Sequence, residues 1–191
     1  MTRKPLLVIV SGAPGAGKST LARALSAWLG LPLLDRDALK EAIGDDLGTP
    51  ADVAASQRMG LAAYRILFLI ATRILGAGSG VVIESNFRRG LAEDELRPLV
   101  ELADTRLVHC TAASETIQRR YAERHQRGER HPVHLDVDRA PALADDLASG
   151  RFEPLDLDVP TMVVRTDLGD QPPIEDVVKF VLGRVAVGSG A

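Results

Sequence analysis

The sequence predicts a parallel α/β fold, and three observations support that prediction. Segments typical of strands alternate with segments typical of helices through the 191 residues, which favours a parallel sheet with crossover helices. Leu6 to Ser11 is a continuous apolar run, as expected for a strand that is covered on both faces. A glycine-rich loop follows this strand directly, and a helical pattern begins at Lys18.

The predicted strands are short apolar segments bounded by turn residues. Leu33-Leu34 follows Pro32, and Val81 to Glu84 follows the glycines that end a long helical segment. The strands are expected at residues 6–11, 33–34, 81–84, 106–110 and 161–165.

The predicted helices are marked by apolar spacing and by residues that start or stop a helix. Gly30 and Pro32 end the first helix, Ser114 is a favourable N-cap, and Pro98 is expected to bend the helix that contains it. Helices are expected at residues 18–29, 37–43, 51–75, 91–103, 114–127, 136–149 and 174–185. We find no repeat and no linker, so residues 1–191 are predicted to form a single domain.

Composition and charge exclude several classes of protein. The net charge is −3, which argues against a nucleic-acid-coating protein, although a local basic patch would still allow such a partner. Cys110 is the single cysteine, so neither an intrachain disulfide nor a multi-cysteine zinc site can form, and a reducing compartment is favoured. The apolar runs are shorter than the roughly 20 residues of a membrane span. We therefore expect a cytoplasmic protein with no membrane partner; the sequence does not indicate the oligomeric state.

The strongest motif is the phosphate-loop pattern G-x-x-x-x-G-K-[ST], matched by Gly12, Ala13, Pro14, Gly15, Ala16, Gly17, Lys18 and Ser19. The glycines let backbone N–H groups wrap around phosphate oxygens, and the following helix adds its positive end. We expect Lys18 to reach the β- and γ-phosphates and the Ser19 hydroxyl to ligate Mg²⁺, with Thr20 completing the nucleotide contacts. A chance glycine-rich turn is the alternative, and the correct strand and helix on either side argue against it.

Carboxylates follow two of the predicted strands, near the edge where the phosphate loop lies. Asp35 and Asp37 follow Leu34, and Glu84 ends the third strand. In a parallel sheet, ligands bind beyond the carboxyl ends of the strands. One carboxylate could approach Mg²⁺ through water, and another could accept the proton of an attacking hydroxyl. The alternative is that Asp35 and Asp37 simply cap the next helix.

Together these residues resemble the small P-loop kinases of the nucleoside-monophosphate-kinase-like group. The likeness is greatest to the kinase module of 5′-hydroxyl polynucleotide kinases and to bacterial kinases grouped with AAA-type ATPases. Gluconate kinases, shikimate kinases and antibiotic phosphotransferases are more distant. The resemblance covers about residues 5–167. It implies a P-loop NTPase fold with a five-stranded sheet in the order 2-3-1-4-5 and a helical lid at about residues 114–135, with ATP and Mg²⁺ as cofactors.

The resemblance also implies roles for individual residues. Asp37 lies where polynucleotide kinases have the general base, and Lys40 lies where they have an arginine that holds the acceptor. A lysine cannot grip phosphate bidentately, which weakens the polynucleotide interpretation. Asp35 completes an Asp-x-Asp pattern similar to that of gluconate and shikimate kinases, where the pair serves Mg²⁺ and substrate. Glu84 is implied as a further Mg²⁺ support, and Asn86 as a residue near the acceptor.

The lid candidate carries a row of basic residues. Arg120, Arg124 and Arg127 lie on one face of the predicted helix, and Arg130 follows it. Arg120 and Arg124 match the relatives' Arg-x-x-x-Arg, which implies that they stabilise the transferring phosphoryl group, while Arg127 and Arg130 are expected to bind substrate. The alternative is a solvated helix face, stabilised by ion pairs such as Glu123 with Arg127.

His131 and His134 follow this row of arginines. They suggest a metal site only weakly, because no cysteine lies nearby and Arg130 would oppose a cation. We expect them either to contact the substrate from the lid or to be plain loop residues.

The sequence thus predicts an ATP- and Mg²⁺-dependent kinase that phosphorylates a hydroxyl of a small molecule. A polynucleotide 5′-kinase and a non-catalytic ATP-binding regulator are the alternatives. The sequence does not identify the acceptor or establish a preference for ATP over GTP.

Overall fold

Five strands form one parallel sheet in the computed structural model, which describes residues 4–127, 131–135, 143–169 and 171–183. Strands β1 to β5 span Leu6–Gly12, Leu33–Asp35, Val81–Glu84, Asp104–Thr111 and Thr161–Arg165. Their order across the sheet is β2-β3-β1-β4-β5, and all four neighbouring pairs are parallel. The predicted fold class and strand order are therefore confirmed.

Helices connect the strands as crossovers. They span Lys18–Leu29 (α1), Arg36–Leu47 (α2), Val53–Gly76 (α3), Glu93–Leu102 (α4), Ser114–Gln126 (α5), 143–148 (α6) and Ile174–Val181 (α7), with a short 3-10 turn at Pro132–His134. Residues 136–142 of the sixth predicted helix and residues 184–185 of the last lie outside the described part of the chain.

The second helix is longer than predicted, because it continues through Gly44 instead of ending before it. Gly44 packs against Val133 of the 3-10 turn, and a Cβ built at Gly44 would lie 2.9 Å from Val133 Cγ2. This glycine therefore permits a close contact between α2 and the turn, rather than ending the helix.

Residues of β1 alternate between two apolar layers, one on each face of the sheet. Val8 and Val10 pack in the layer that α1 and α7 cover, whereas Leu7 and Ile9 pack in the layer that α3 and α4 cover. This two-sided burial explains why the strand is apolar throughout. The pairing places Glu84 of β3 beside both Val10 of β1 and Asp35 of β2.

The third helix is, within the described ranges, the one helix long and apolar enough to cross a membrane by length and composition alone. Its buried stripe of small and apolar residues includes Gly60, Ala63, Leu67 and Ala71, and the helix contacts α2, α4, β2 and β3. This one-sided packing is that of a helix on the flank of a sheet in a globular protein.

The end of β1 lies very close to the backbone of β4, and this gives a first prediction. Gly12 has φ +134°, and a Cβ there would lie 2.1 Å from the carbonyl oxygen of Cys110 on β4. We expect Gly12→Ala to lower the free energy of unfolding by about 3 kcal/mol or more, measured by urea denaturation. Gly78→Ala is the matched control, because Gly78 also has positive φ (+79°) but no atom within 4 Å of its Cβ position. It should cost only about 1 kcal/mol. Equal losses in the two variants would contradict the proposed backbone contact.

Candidate active site

The phosphate loop connects β1 to α1 and takes the backbone shape that its glycines allow. Gly15 and Gly17 have φ of +87° and +84°, which side-chain-bearing residues rarely adopt. Gly12, Ala13 and Ala16 are the buried residues of the loop that do not line the loop cavity, and their contact with the nucleotide stays a prediction. The other loop residues face a cavity of about 430 Å³, the loop cavity, which Pro14, Gly15, Gly17, Lys18, Ser19 and Thr20 line.

The carboxylates that were predicted near the strand ends also line the loop cavity. Asp35, Asp37 and Glu84 line it together with Asn86, and Arg124 reaches it from α5. The structure thus brings the predicted phosphate-loop residues, acidic residues and one lid arginine into one cavity at the carboxyl edge of the sheet.

Lys18 and Glu84 form a buried charged pair below the loop. Lys18 Nζ donates to the carbonyl oxygen of Ala13 at 2.9 Å and lies 3.8 Å from Glu84 Oε1. Ser19 Oγ donates to Glu84 Oε2 at 3.1 Å. Burial lowers the pKa of Lys18, and the Glu84 carboxylate opposes that shift. Burial also raises the pKa of Glu84 to about 7, against the lowering effect of Lys18.

Asp35 and Asp37 combine the capping role and the cavity role that the sequence left as alternatives. Asp35 is the N-cap of α2, where its Oδ1 accepts from the backbone N–H groups of Asp37 at 2.8 Å and Ala38 at 3.3 Å. Asp37 Oδ1 accepts from Arg36 Nη2 at 2.5 Å. Capping by Asp35 therefore fixes the helix start that carries Asp37 into the loop cavity.

A second cavity of about 540 Å³, the α3 cavity, adjoins the loop cavity. Pro14, Asn86 and Tyr121 line both. The α3 cavity is walled by the start of α2, the first half of α3, the segment after β3 and the region around α6. Two adjoining cavities at the carboxyl edge of the sheet give room for two ligands that meet at Asn86.

Two arginines in the α3 cavity were missed by the sequence analysis. Arg36, which binds Asp37, places its guanidinium carbon 5.5 Å from the ring centre of Tyr64. Arg88 donates to Asp146 Oδ2 at 2.8 Å. Its guanidinium also lies 5.9 Å from the ring centre of Phe152. No motif marks either arginine, because the ring and, for Arg88, the carboxylate come from distant parts of the chain.

Lys40, which is predicted to hold the acceptor, lines the α3 cavity and is almost fully buried. Its Nζ donates to Ser56 Oγ at 2.7 Å, and Ser56 Oγ donates to the carbonyl oxygen of Val133 at 2.7 Å. The Lys40 ammonium is thereby tied to α3 and, through Ser56, to the 3-10 turn.

The two predicted substrate-binding histidines are both engaged with carboxylates of α2. His134 Nε2 lies 2.9 Å from Glu41 Oε1, and His131 Nε2 lies 3.0 Å from Asp45 Oδ1. His134 is buried and lines the α3 cavity, whereas His131 lines neither cavity. In this arrangement the His131 imidazole links the turn to α2, and a substrate contact by His131 stays a prediction. Arg130 lies outside the described residues.

The lid arginines are placed differently from one another. Arg124 lines the loop cavity. Arg120 instead donates to the carbonyl oxygens of Gly15 at 3.4 Å and Thr166 at 2.7 Å, and to Thr166 Oγ1 at 2.9 Å. Arg127 is exposed, pairs with Glu123 at 3.3 Å and lines neither cavity. The phosphoryl contact of Arg120 and the substrate contact of Arg127 stay predictions. Arg120 supports the loop, and Arg127 lies on a solvated helix face.

The loop cavity fits a nucleoside triphosphate with Mg²⁺ by the chemistry of its donors. Lys18 and the loop N–H groups offer donors to anionic oxygens. The oxygen ligands that Mg²⁺ prefers are offered by Ser19, Glu84 and Asp35. Such a small number of protein ligands is typical of sites in which phosphates and water complete the coordination shell of Mg²⁺. The described residues contain no group of three or more His, Cys, Asp or Glu that could hold a metal by themselves. The predicted set of Ser19, Asp35 and Glu84 is thus compatible with Mg²⁺ held jointly with phosphates.

Ser56 gives a prediction about the wall of the α3 cavity. Its hydroxyl accepts from Lys40 and donates to Val133, and the residue is buried. Ser56→Ala removes both hydrogen bonds, so we expect the free energy of unfolding to fall by about 2–3 kcal/mol. Ser79→Ala, at an exposed serine beyond α3, should change it by less than about 0.5 kcal/mol. Urea denaturation measures both, and a Ser56→Ala value as small as that of the control would contradict the hydrogen-bond relay.

Glu84 gives a prediction about pH. The native carboxyl keeps its proton up to about pH 7, whereas the unfolded one loses it near 4.5, so the native state binds the additional proton between these values. The contribution of Glu84 to stability therefore falls as pH rises from 4.5 to 7 and is constant above. Relative to wild type, the free energy of unfolding of Glu84→Gln should increase by up to about 3 kcal/mol as the pH rises across this range.

Urea denaturation at several pH values between 4.5 and 8 measures this difference. Glu101→Gln, at an exposed residue of α4, serves as the control for the loss of a carboxyl group elsewhere in the chain. A difference between Glu84→Gln and wild type that does not change with pH would show that the Glu84 carboxyl has an ordinary pKa.

Comparison with known proteins places this geometry among kinases. A family model described as "AAA domain" matches residues 7–142. The chain is 36% identical to a proposed kinase from Chloroflexus aurantiacus whose crystal structure superposes with a TM-score of 0.86, over 96% of this chain and 100% of that one. It is 26% identical over 164 residues to a shikimate kinase of Histophilus somni (strain 2336), covering 84% of this chain and 85% of that protein.

A cytidylate kinase of Acidiphilium cryptum (strain JF-5) is 40% identical over 70 residues, which are 35% of this chain and 32% of that protein. The AAA domain match spans the sheet from β1 through β4 together with α5. The chain therefore belongs to this AAA domain family and, with its phosphate loop and 2-3-1-4-5 sheet, to the small P-loop kinases.

Proposed function

We propose that the protein is an ATP- and Mg²⁺-dependent phosphotransferase that phosphorylates a hydroxyl of a small molecule. One observation supports this most directly: Asp37 lines the loop cavity, its neighbour and partner Arg36 lines the α3 cavity, and the two cavities share Asn86. A carboxylate at the junction of a phosphate-binding cavity and a second cavity is suited to accept the proton of a hydroxyl that attacks the γ-phosphate.

The loop cavity supplies the residues that would hold the nucleotide. Lys18 and the backbone N–H groups of the loop bind phosphate oxygens, and Arg124 adds positive charge from α5. Ser19 would ligate Mg²⁺, with Glu84 and Asp35 as supports. When bound, Mg²⁺ neutralises charge on the β- and γ-phosphate oxygens. Little covalent chemistry falls to the protein, so its contribution is to position the reactants and stabilise charge.

The α3 cavity supports a small acceptor rather than a nucleic acid. Lys40, where polynucleotide kinases have an acceptor-binding arginine, is buried and held by Ser56, so it is not free to grip a phosphate backbone from the surface. The chain also has a net charge of −3, which disfavours a polyanionic partner. A non-catalytic regulator would need neither a second cavity nor a carboxylate between the two. We place the enzyme in the cytoplasm, without nucleic-acid or membrane partners.

Replacing the proposed base tests the mechanism. We expect Asp37→Asn to lower kcat by about 10²- to 10⁴-fold, because the attacking hydroxyl loses its proton acceptor. Binding of ATP, measured by calorimetry, should change by less than about threefold, because Lys18 and the loop remain intact. Asp46→Asn, at an exposed carboxylate of the same helix, is the matched control and should turn over at the wild-type rate.

The assay follows ³²P transfer from γ-labelled ATP to sugars, nucleosides, aminoglycosides, other antibiotics and a 5′-hydroxyl oligonucleotide. A labelled product that disappears with Asp37→Asn supports the proposal. Transfer at the wild-type rate by Asp37→Asn would refute the assignment of the base. ATP binding with only slow release of free phosphate, across every acceptor, would favour a nucleotide-binding regulator.

A further inference from the structure

The ring of Tyr64 lies beside the guanidinium that binds Asp37. The guanidinium carbon of Arg36 is 5.5 Å from the ring centre, within the range of a cation–π interaction. Arg36 Nη2 donates to Asp37 Oδ1 at 2.5 Å. Nε of the same guanidinium is buried and has no hydrogen-bond partner among the residues that the structure describes. One hydrogen bond and one aromatic ring are therefore the directional contacts of this guanidinium among those residues.

The Tyr64 ring is itself held by two other aromatic rings. Phe87, almost fully buried, meets it edge-on, with 5.9 Å between ring centres and an interplanar angle of 84°. Phe68, one turn further along α3, lies 5.6 Å from it. One turn before Tyr64, Gly60 has no side chain, and Arg36 Nη1 lies 3.8 Å from the position of a Cβ there. The guanidinium thus lies close to α3, against a ring whose plane is fixed by its neighbours.

Charged groups of both signs surround the Asp37 carboxylate. Those that line the loop cavity with it are Lys18, Arg23, Arg124, Asp35, Glu41 and Glu84. Burial lowers the pKa of Lys18, and the carboxylates of Glu84 and Asp37 oppose that shift, so Asp37 lies within electrostatic reach of Lys18. Attraction to Lys18 draws the Asp37 carboxylate toward the loop that would hold the phosphates.

Arg36 attracts the same carboxylate from the opposite direction. Arg36 lines the α3 cavity and not the loop cavity, and its side chain is only 16% exposed. Ion pairs and cation–π contacts are stronger when they are partly removed from water. The ion pair with Arg36 therefore holds the carboxylate of Asp37 on the side of the loop cavity that adjoins the α3 cavity.

We propose that Tyr64 is a positioning residue for phosphate transfer, because its ring fixes Arg36 and Arg36 in turn fixes the Asp37 carboxylate. The inference rests on the proposed kinase function, in which Asp37 is the base. A general base must lie within hydrogen-bond distance of the proton that it accepts. A displacement of about 1 Å, caused by a substitution away from the reacting atoms, can lower a rate by about 10²-fold.

Two substitutions at Tyr64 separate the ring from the hydroxyl in the ³²P-transfer assay. Tyr64→Phe keeps the ring beside Arg36, so kcat should stay within about twofold of wild type. Tyr64→Leu removes the ring, so kcat should fall about tenfold while KM for ATP and for the acceptor change by less than about twofold. Equal losses in both variants would assign the effect to the hydroxyl. A higher KM for the acceptor at unchanged kcat would indicate direct binding. Either result would overturn the proposal.

Phe180→Leu is the matched control for the loss of an aromatic ring. Phe180 is buried in the apolar layer on the opposite face of the sheet, away from Arg36. Its loss lowers stability but should leave kcat unchanged, and circular dichroism melting shows whether each variant folds. A fall in kcat as large as that of Tyr64→Leu would mean that lost stability alone explains the effect.

A double-mutant cycle tests whether Tyr64 acts through Asp37. In the Asp37→Asn background no carboxylate remains to be positioned, so adding Tyr64→Leu should change the residual kcat by less than about twofold. Arg36→Gln alone should lower kcat at least as much as Tyr64→Leu, and the two together should cost little more than Arg36→Gln. Full tenfold losses from Tyr64→Leu in these backgrounds would overturn the proposal.

Nuclear magnetic resonance gives a readout that needs no acceptor. In Tyr64→Leu, the Nε–H signal of Arg36 and the carboxyl carbon signal of Asp37 should both move from their wild-type positions, and in Tyr64→Phe both should stay close to them. Unchanged signals in Tyr64→Leu would overturn the positioning role. Transfer that depends on Asp37 but not on Tyr64 would overturn this inference alone. No transfer to any acceptor, with ATP bound, would refute the proposed function and the role in transfer with it.

Discussion

Burial of Lys18 and Glu84 together at the carboxyl edge of the sheet is the constraint on which the site depends. Each charge loses its hydration there, and a 3.8 Å separation recovers only part of that cost. The pair persists because the main chain fixes both residues: Lys18 begins α1, and Glu84 ends a central strand between β1 and β2. Under the proposed function, phosphate oxygens beside Lys18 and a cation beside Glu84 would satisfy both charges.

The start of α2 joins the two cavities, and a single capping interaction sets its position. Asp35 accepts two N–H groups of the first turn, which fixes the direction in which the next two side chains leave the backbone. Asp37 then faces the loop cavity, and Arg36 faces the α3 cavity, although they are adjacent in sequence. An Asp-x-Asp pattern can therefore both cap a helix and place a carboxylate in a cavity, because the capping interaction of Asp35 orients the side chain of Asp37.

The parts of the site that could be predicted lie within short segments of the sequence, whereas the parts that could not be predicted join residues that are far apart in the chain. The phosphate loop and Asp37 could be predicted because a local motif and the end of one strand specify them. The Arg88–Asp146 pair could not, since 58 residues separate its members and no periodicity links them. The contact of His131 with Asp45 spans 86 residues in the same way, so the sequence showed two histidines but not their partners.

The arginines of α5 show why a shared helix face does not imply a shared ligand. Arg120 and Arg124 are four residues apart, which is about 6 Å along the helix axis. The Arg120 guanidinium donates to the carbonyl oxygens of Gly15 and Thr166, whereas Arg124 lines the loop cavity. Arg120 therefore contacts the backbone of the phosphate loop, whereas Arg124 brings its charge to the loop cavity. Two arginines of one Arg-x-x-x-Arg pattern can thus have different contacts.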